Sequence, residues 1–167
     1  MVRFLKIRDV KNPEREFGNG GIDVFVPWPS EEYINLLKEK NPDLTIDGVG
    51  LTVEPGQSAL IPTGLKTRFS SPNIALEATN KSGIATKKKL IFGATLVDYS
   101  YTGEIHAHLI NVGNETQRIN YGDKIIQFVP RIIDIEQHEV VENESEEEFY
   151  KDFVTTRGSG AFGSTGA

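Results

Sequence analysis

The feature that most limits what this chain can fold into is the rhythm of its apolar residues. Short alternating or β-branched runs, each closed by a turn signal, recur along most of its length. They cover Arg3 to Arg8, Ile22 to Val26, Gly50 to Val53, Ser58 to Ile61, Leu65 to Phe69, Ile74 to Ala78, Glu104 to Asn111 and Lys124 to Val129. Between them stand Pro55-Gly56, Pro62-Thr63-Gly64, Ser71-Pro72-Asn73 and Tyr121-Gly122-Asp123, whose fixed or permissive φ values and side-chain-to-backbone bonds favour chain reversal. A period of two puts alternate side chains on opposite faces of a strand, so many short runs at this spacing predict an all-β sandwich or barrel. One stretch departs from the pattern. Ser30 is placed to cap a helix with Glu31 and Glu32 in its first turn, Tyr33, Leu36 and Leu37 as its apolar stripe, and Asn41-Pro42 as its stop. This short surface helix is expected as an insertion into a loop at about residues 28–48, between two strands.

A chain of 167 residues with 38% hydrophobic content fits one domain with an ordinary core. Residues 1–141 are expected to hold that core and 142–155 to form an acidic linker or frayed helix, Glu142 to Glu148 carrying five Glu. Residues 156–167 form a tail with glycine at every second or third position from Gly158, a composition that cannot build a core and predicts a flexible arm. The formal charge of -6 argues against a surface that tracks nucleic acid, so any phosphate binding must be local. No cysteine is present, which excludes disulfides, thiolate nucleophiles and Cys-ligated zinc. The first ten residues alternate and carry charge, and no apolar run approaches a membrane span, so the expected setting is the cytoplasm, away from membranes.

Five segments carry groups suited to phosphate chemistry. Gly20-Gly21-Ile22-Asp23-Val24 offers a hard carboxylate of the kind that suits hydrated Mg2+. Asn80-Lys81-Ser82-Gly83-Ile84-Ala85 sets a hydroxyl and an unhindered glycine beside a cation, so that backbone N–H groups can approach a phosphate closely. Gly93-Ala94-Thr95-Leu96-Val97-Asp98-Tyr99-Ser100-Tyr101-Thr102-Gly103-Glu104 places one carboxylate three residues before a tyrosine. In Tyr121-Gly122-Asp123-Lys124-Ile125-Ile126-Gln127-Phe128 a tight turn feeds an apolar strand whose polar member, Gln127, can both donate and accept. The tail from Arg157 to Gly166 contains one cation, Arg157, and one aromatic ring, Phe162. His106 and His108 share a strand face but have no third ligand in sight, and Lys87-Lys88-Lys89 reads as a solvated loop. No P-loop pattern occurs.

Taken in order, these segments resemble the five motifs of the trimeric deoxyuridine triphosphatase family and together span almost the whole chain. The resemblance implies a jelly-roll-like fold, a homotrimer with composite sites, and hydrolysis of dUTP to dUMP and pyrophosphate with Mg2+. Such a reaction removes dUTP from the nucleotide pool and supplies dUMP for thymidylate synthesis. By resemblance Asp98 is the general base, assisted by Ser82 and Gln127, and Asp23 holds Mg2+ through water. Lys81, Gly83 and Arg157 face the phosphates, and Gly163 and Ser164 of the tail also contact the substrate. Gly93, Thr95 and Val97 belong to a hairpin reading uracil, Tyr101 excludes a 2′-hydroxyl, and Phe162 stacks on the base. Four positions depart from the family pattern: Lys81 stands for Arg, Thr95 for a hairpin Gly, Ser100 for a second Asp, and Ala161 for a Gly. Thr95 bears on the backbone, because only Gly freely adopts positive φ. Two alternatives stand beside this reading. A dCTP deaminase shares the fold but needs a catalytic Glu where this chain has His108, and a regulatory dUTP-binding module would use the inserted helix for a partner.

Overall fold

The computed structural model describes residues 1–134 and 140–152. Residues 1–134 make one compact unit, and the chain from residue 135 onward makes a second. The first unit is all-β, as the spacing of apolar runs predicts, and jelly-roll-like, as the family resemblance implies. Its strands are β1 (Val2–Lys6), β2 (Ile22–Phe25), β3 (Thr45–Ile46), β4 (Gly50–Val53), β5 (Ser58–Pro62) and β6 (Leu65–Phe69) in its first half. They continue with β7 (Ile74–Thr79), β8 (Leu90–Phe92), β9 (Leu96–Val97), β10 (His106–Asn111), β11 (Gln117–Asn120) and β12 (Lys124–Ile132). All described pairings are antiparallel and fall into four sheets: β1-β6, β5-β10-β8, β11-β4-β3 and β2-β12-β7-β9.

Alternation sorts the side chains. In β10, Ala107, Leu109 and Asn111 are buried while His106, His108 and Ile110 remain half-exposed, the two-residue period of a strand with one face on the core. The core gathers Val24, Val26, Leu51, Val53, Ile61, Leu76, Leu109, Ile119, Ile126 and Phe128 from all parts of this unit. Asn111 is fully buried, and its amide donates to the carbonyls of Val53 (2.9 Å) and Glu115 (2.8 Å), which meets the requirement that an enclosed polar group be bonded.

The helix α1 (Glu31–Lys40) follows its sequence signals closely. Ser30 Oγ accepts from the Tyr33 amide (3.1 Å), acids fill the first turn, and Lys38 and Lys40 sit in the last, each complementing the helix dipole. Tyr33 and Leu37 are buried, whereas Leu36 is only partly so. The Tyr33 hydroxyl donates to the carbonyl of Pro62 (2.8 Å). Buried Asn41 then stitches the helix end to β5, donating to Leu37 O and Leu60 O and accepting from Leu60 N. The apolar face of α1 is therefore spent on the core of its own chain.

One local feature differs from expectation. Lys87 and Lys88 lie in a single wide turn of π-helix, Ile84–Lys88, rather than in a loop, and Lys89 closes it at φ 53. In the second unit the acidic stretch contains α2 (Glu146–Phe149), one turn fixed by a capping box between Ser145 and Glu148. No helix among the described residues is long and apolar enough to cross a membrane.

Candidate functional site

Three of the five segments converge on one face of the β2-β12-β7-β9 sheet. Asp23 on β2, Gln127 on β12 and Thr79 at the end of β7 occupy one row across three adjacent strands. The register slips between Lys124 and Ile126, forming a β-bulge. Ile125 and Ile126 are consequently both buried, and Lys124 turns out to the half-exposed face that carries Gln127. There its ammonium reaches Asp23 Oδ2 at 2.7 Å, while Lys81 pairs with Asp23 Oδ1. Burial pushes the Asp23 carboxyl up, but hydrogen bonds from Lys124 and Lys81 outweigh it and hold the group below the usual carboxylate range. Two ammonium groups share the Asp23 carboxylate, and the charges of Glu14 and Glu16 also act on Lys124, so the corner presents paired cations that an anionic phosphate chain could engage.

The surrounding backbone completes the corner. Gln127 Nε2 donates to Asn80 O (3.2 Å), and Asn80 Oδ1 accepts from the Phe92 amide (3.1 Å), so the Asn80-Lys81 turn is tied to both β12 and β8. Gly21 lies against Gln127: a Cβ there would stand 2.6 Å from Oε1. Beyond Lys81 the chain enters its wide turn, with Ala85 N donating to Lys81 O and Thr86 Oγ1 to Ser82 O (2.6 Å). Ser82 and Gly83 are exposed at its start, and nothing lies within 4 Å of a Cβ built at Gly83. A phosphate oxygen therefore has open access to the Ser82 hydroxyl and its neighbouring amides.

The third segment is organised differently from the expected hairpin. β8 pairs with β10 and β9 with β7, so Gly93-Ala94-Thr95 crosses from one sheet to another instead of folding back on a paired partner. Gly93 is required by close approach, since a Cβ there would overlap the His108 ring. Thr95 causes no strain: among the described residues Lys89 is the only non-glycine with positive φ, and the Thr95 carbonyl accepts from the Ala78 amide. Past β9 the chain turns with Tyr101 N donating to Asp98 O (3.1 Å). The Tyr101 hydroxyl donates to Glu104 O (2.8 Å), and Gly103 admits that hydroxyl where any Cβ would block it. Leu96, Val97, Asp98, Tyr101, Ile105 and His106 enclose a cavity of about 200 Å³. Asp98 is exposed at its edge.

The base of this turn rests on a contact that sequence patterns did not disclose. Glu104 accepts from both Nε and Nη2 of Arg8 (3.1 Å each) and from the Gly64 amide (2.7 Å), while Arg8 also reaches Glu32 on α1. A bidentate pair of this kind fixes orientation as well as distance. Lys124 was likewise missed as a partner of Asp23, because plain alternation would turn it toward the core.

Asp23, Lys81, Ser82, Gly83 and Gln127 thus form one cluster, and Val97, Asp98 and Tyr101 another. Asp98 follows the edge strand β9 while Asp23 lies on the opposite edge strand β2. With strands about 4.8 Å apart and residues rising about 3.3 Å, the two clusters of one chain are on the order of 15–20 Å apart. Arg157, Phe162, Gly163 and Ser164 lie outside the described residues. No group of three His, Cys, Asp or Glu side chains converges among the described residues. His108 lines a separate cavity with Lys40, Asp43 and Leu44.

Comparison with known proteins bears on the family and the fold. Among curated relatives, the deoxyuridine 5'-triphosphate nucleotidohydrolase of Gloeothece citriformis is 39% identical over 119 residues, covering 70% of this chain and 75% of that protein. The enzyme of the same name from Azotobacter vinelandii is 35% identical, covering 70% and 74%. Among solved structures, the G164S mutant of the dUTPase of Staphylococcus bacteriophage 80alpha with dUpNHpp superposes with a TM-score of 0.72 at 19% identity over 100% of this chain and 99% of that one. Native EIAV dUTPase gives 0.63 at 20% identity, covering 87% and 99%. These two establish the fold. The dUTPase family model matches residues 49–166, a span that holds the second to fourth candidate segments and reaches into the tail, and the chain belongs to the dUTPase family.

Proposed function

We propose that this protein hydrolyses dUTP to dUMP and pyrophosphate at composite sites formed where three copies of the chain meet. The observation that carries this reading is the separation of the two clusters. A water activated by Asp98 must lie within hydrogen-bond reach of the α-phosphorus, and a phosphate chain held by Ser82 and Gln127 of the same copy would lie too far away. Bringing Asp98 and Tyr101 of one copy to Asp23, Lys81, Ser82 and Gln127 of another removes the gap. The third copy supplies Arg157, Phe162, Gly163 and Ser164 from its tail, residues 156–167. The acidic stretch 142–155 then spans the distance from the core, residues 1–141.

In this arrangement the uracil and sugar occupy the cavity beside Val97, with Gly93 and Thr95 supplying main-chain groups to the base and Tyr101 crowding the 2′ position. Asp98 takes a proton from water as its oxygen attacks the α-phosphorus in line. The bond from the α-phosphorus to the α–β bridging oxygen breaks, and pyrophosphate departs. Ser82, Gly83 and Lys81 face the charge that develops on it, and Gln127, whose Nε2 alone is engaged among the described residues, offers its carbonyl oxygen to the water. Asp23 is already shared between two lysines, which fits a hydrated cation brought by the substrate and not one caged by protein. Asp23 would hold Mg2+ through water, the ion screening the triphosphate charge when bound.

Parallel measurement of pyrophosphate release from dUTP, dCTP, dTTP and UTP tests this. dUTP is expected to turn over far faster than the rest. Equal rates on UTP would overturn the role of Tyr101, and ammonia release from dCTP would make the chain a deaminase.

A further inference from the structure

Arg3 on β1 and Arg68 on β6 are direct partners in the antiparallel register. Side chains so paired leave the same face of the sheet about 4.5–5.5 Å apart at Cβ, and like charges placed there weaken the pairing. The sheet that tolerates them has only two strands. Every other arginine among the described residues is engaged: Arg8 with Glu104 and Glu32, Arg15 with the Asn19 carbonyl, Arg118 with Asp47, and Arg131 with Glu77. Arg3 and Arg68 have no such partner among the described residues.

Both line a cleft of about 570 Å³ whose walls also include Ser70, Tyr99, Ser100 and Tyr101 and, among the described residues, contain no carboxylate. In a chain of net charge -6 that absence is informative. Ser100 stands where the related motif carries its second Asp, so the acid that would have faced these arginines is replaced by a hydroxyl. Tyr101 lines this cleft and also the smaller cavity that holds Asp98.

We propose that the cleft is a binding site for a multiply charged oxyanion of the phosphate class, gripped by the guanidinium forks of Arg3 and Arg68 with hydroxyl donation from Ser70 and Ser100, across Tyr101 from Asp98. Two planar forks side by side match the geometry of phosphate oxygens better than point charges do, and the bound anion relieves the repulsion that the empty pair carries.

The test is calorimetric titration of the full chain with pyrophosphate, and separately with inorganic phosphate, in buffer matched for ionic strength with sodium chloride. A non-hydrolysable dUTP analogue saturates the catalytic sites. One anion per chain is expected to bind beyond the analogue. Arg3→Gln and Arg68→Gln should each weaken it by about tenfold or more, as the loss of one charge-assisted fork implies, and the double variant should abolish it. At low salt each single variant is expected to melt at the same temperature as the wild type or higher, which separates lost binding from lost folding. Binding that persists in the double variant, or anion binding no greater than the sodium chloride control, overturns the proposal. So does a lower melting temperature in both single variants, which would make the arginines structural. Failure of the analogue to bind would sink the catalytic reading alone, because the stoichiometry lost with the two arginines is counted in the same titration.

Discussion

Replacing Asp23 by Asn removes the carboxylate that Lys81 and Lys124 share. The Asp23 side chain keeps 17% of its exposure, against 22% for Lys81 and 36% for Lys124. Breaking a fully buried pair costs about 3–5 kcal/mol, because the surviving charge is left enclosed without a partner. An exposed pair is worth about 0–1 kcal/mol. Lys124, at the rim, can turn to water, while Lys81 is more enclosed. The expected loss for Asp23→Asn is therefore about 1–2 kcal/mol at neutral pH, between the two limits. For a chain of this size that corresponds to roughly 2–8 °C in melting temperature. The pH dependence supplies an independent check. The folded carboxyl titrates below its ordinary value, so its contribution is present above the unfolded value of about 3.9 and fades as pH falls through the folded one. The gap between wild type and variant should be full at pH 7, nearly full at pH 5.5, and shrinking below about pH 4. Adding Lys81→Met to Asp23→Asn removes the stranded ammonium and should recover much of the loss. Urea denaturation at fixed chain concentration measures all of this, fixed because assembly makes stability concentration-dependent. Equal stability at pH 7, a gap that widens on acidification, or a double variant weaker than the single would refute the reasoning.

Three further outcomes follow from the same geometry. Asp98→Asn keeps the shape of the turn and loses the base, so kcat should fall roughly 10²- to 10⁴-fold with nucleotide binding retained, as read by single-turnover kinetics and calorimetry; near-normal turnover would remove Asp98 from the mechanism. Gly21→Ala puts a methyl 2.6 Å from Gln127 Oε1, the far end of a flexible side chain, so stability should change by less than about 1 kcal/mol while kcat drops roughly 10- to 100-fold from a misplaced Gln127. A variant that melts normally and turns over normally would show Gln127 to be dispensable. Deleting residues from Thr156 onward should leave the assembled state intact by size-exclusion chromatography and abolish rapid turnover, because Arg157 and Phe162 are lost; full activity without the tail would eliminate it as a closing element.

The β runs were legible because four or more alternating residues leave a period that survives reading by eye. β3, β8 and β9 have two or three residues and show no period at all. β11, Gln117–Asn120, has one buried residue in four and so resembles a loop. The inserted helix was legible from its cap, its acids and its stop. Its occupation with the core was not, since the Tyr33 hydroxyl bond to Pro62 and the Asn41 stitches to Leu60 join residues 19 to 29 positions apart. Within the site, the candidates of the first, second and fourth segments rest on the family resemblance, and the structure brings Asp23, Lys81 and Gln127 near one another. The sheet-to-sheet crossing at Gly93-Thr95 was hidden because the pairing of β8 with β10 and of β9 with β7 is nonlocal. Arg8 and Glu104, 96 residues apart, were invisible for the same reason: neither belongs to a pattern that contains the other.

The slipped register in β12 has a bearing on how such a chain can diverge. Gly122 turns the backbone at φ 78, Lys124 reaches Asp23, one surplus residue is absorbed, and Gln127 emerges in its row. Losing a single codon between them would swing an ammonium into the hydrocarbon interior, and gaining one would send the amide there instead, because each step of one residue reverses every side chain beyond it. An exchange of one cation for another costs the site little by comparison. Heredity here can afford to misspell but not to miscount.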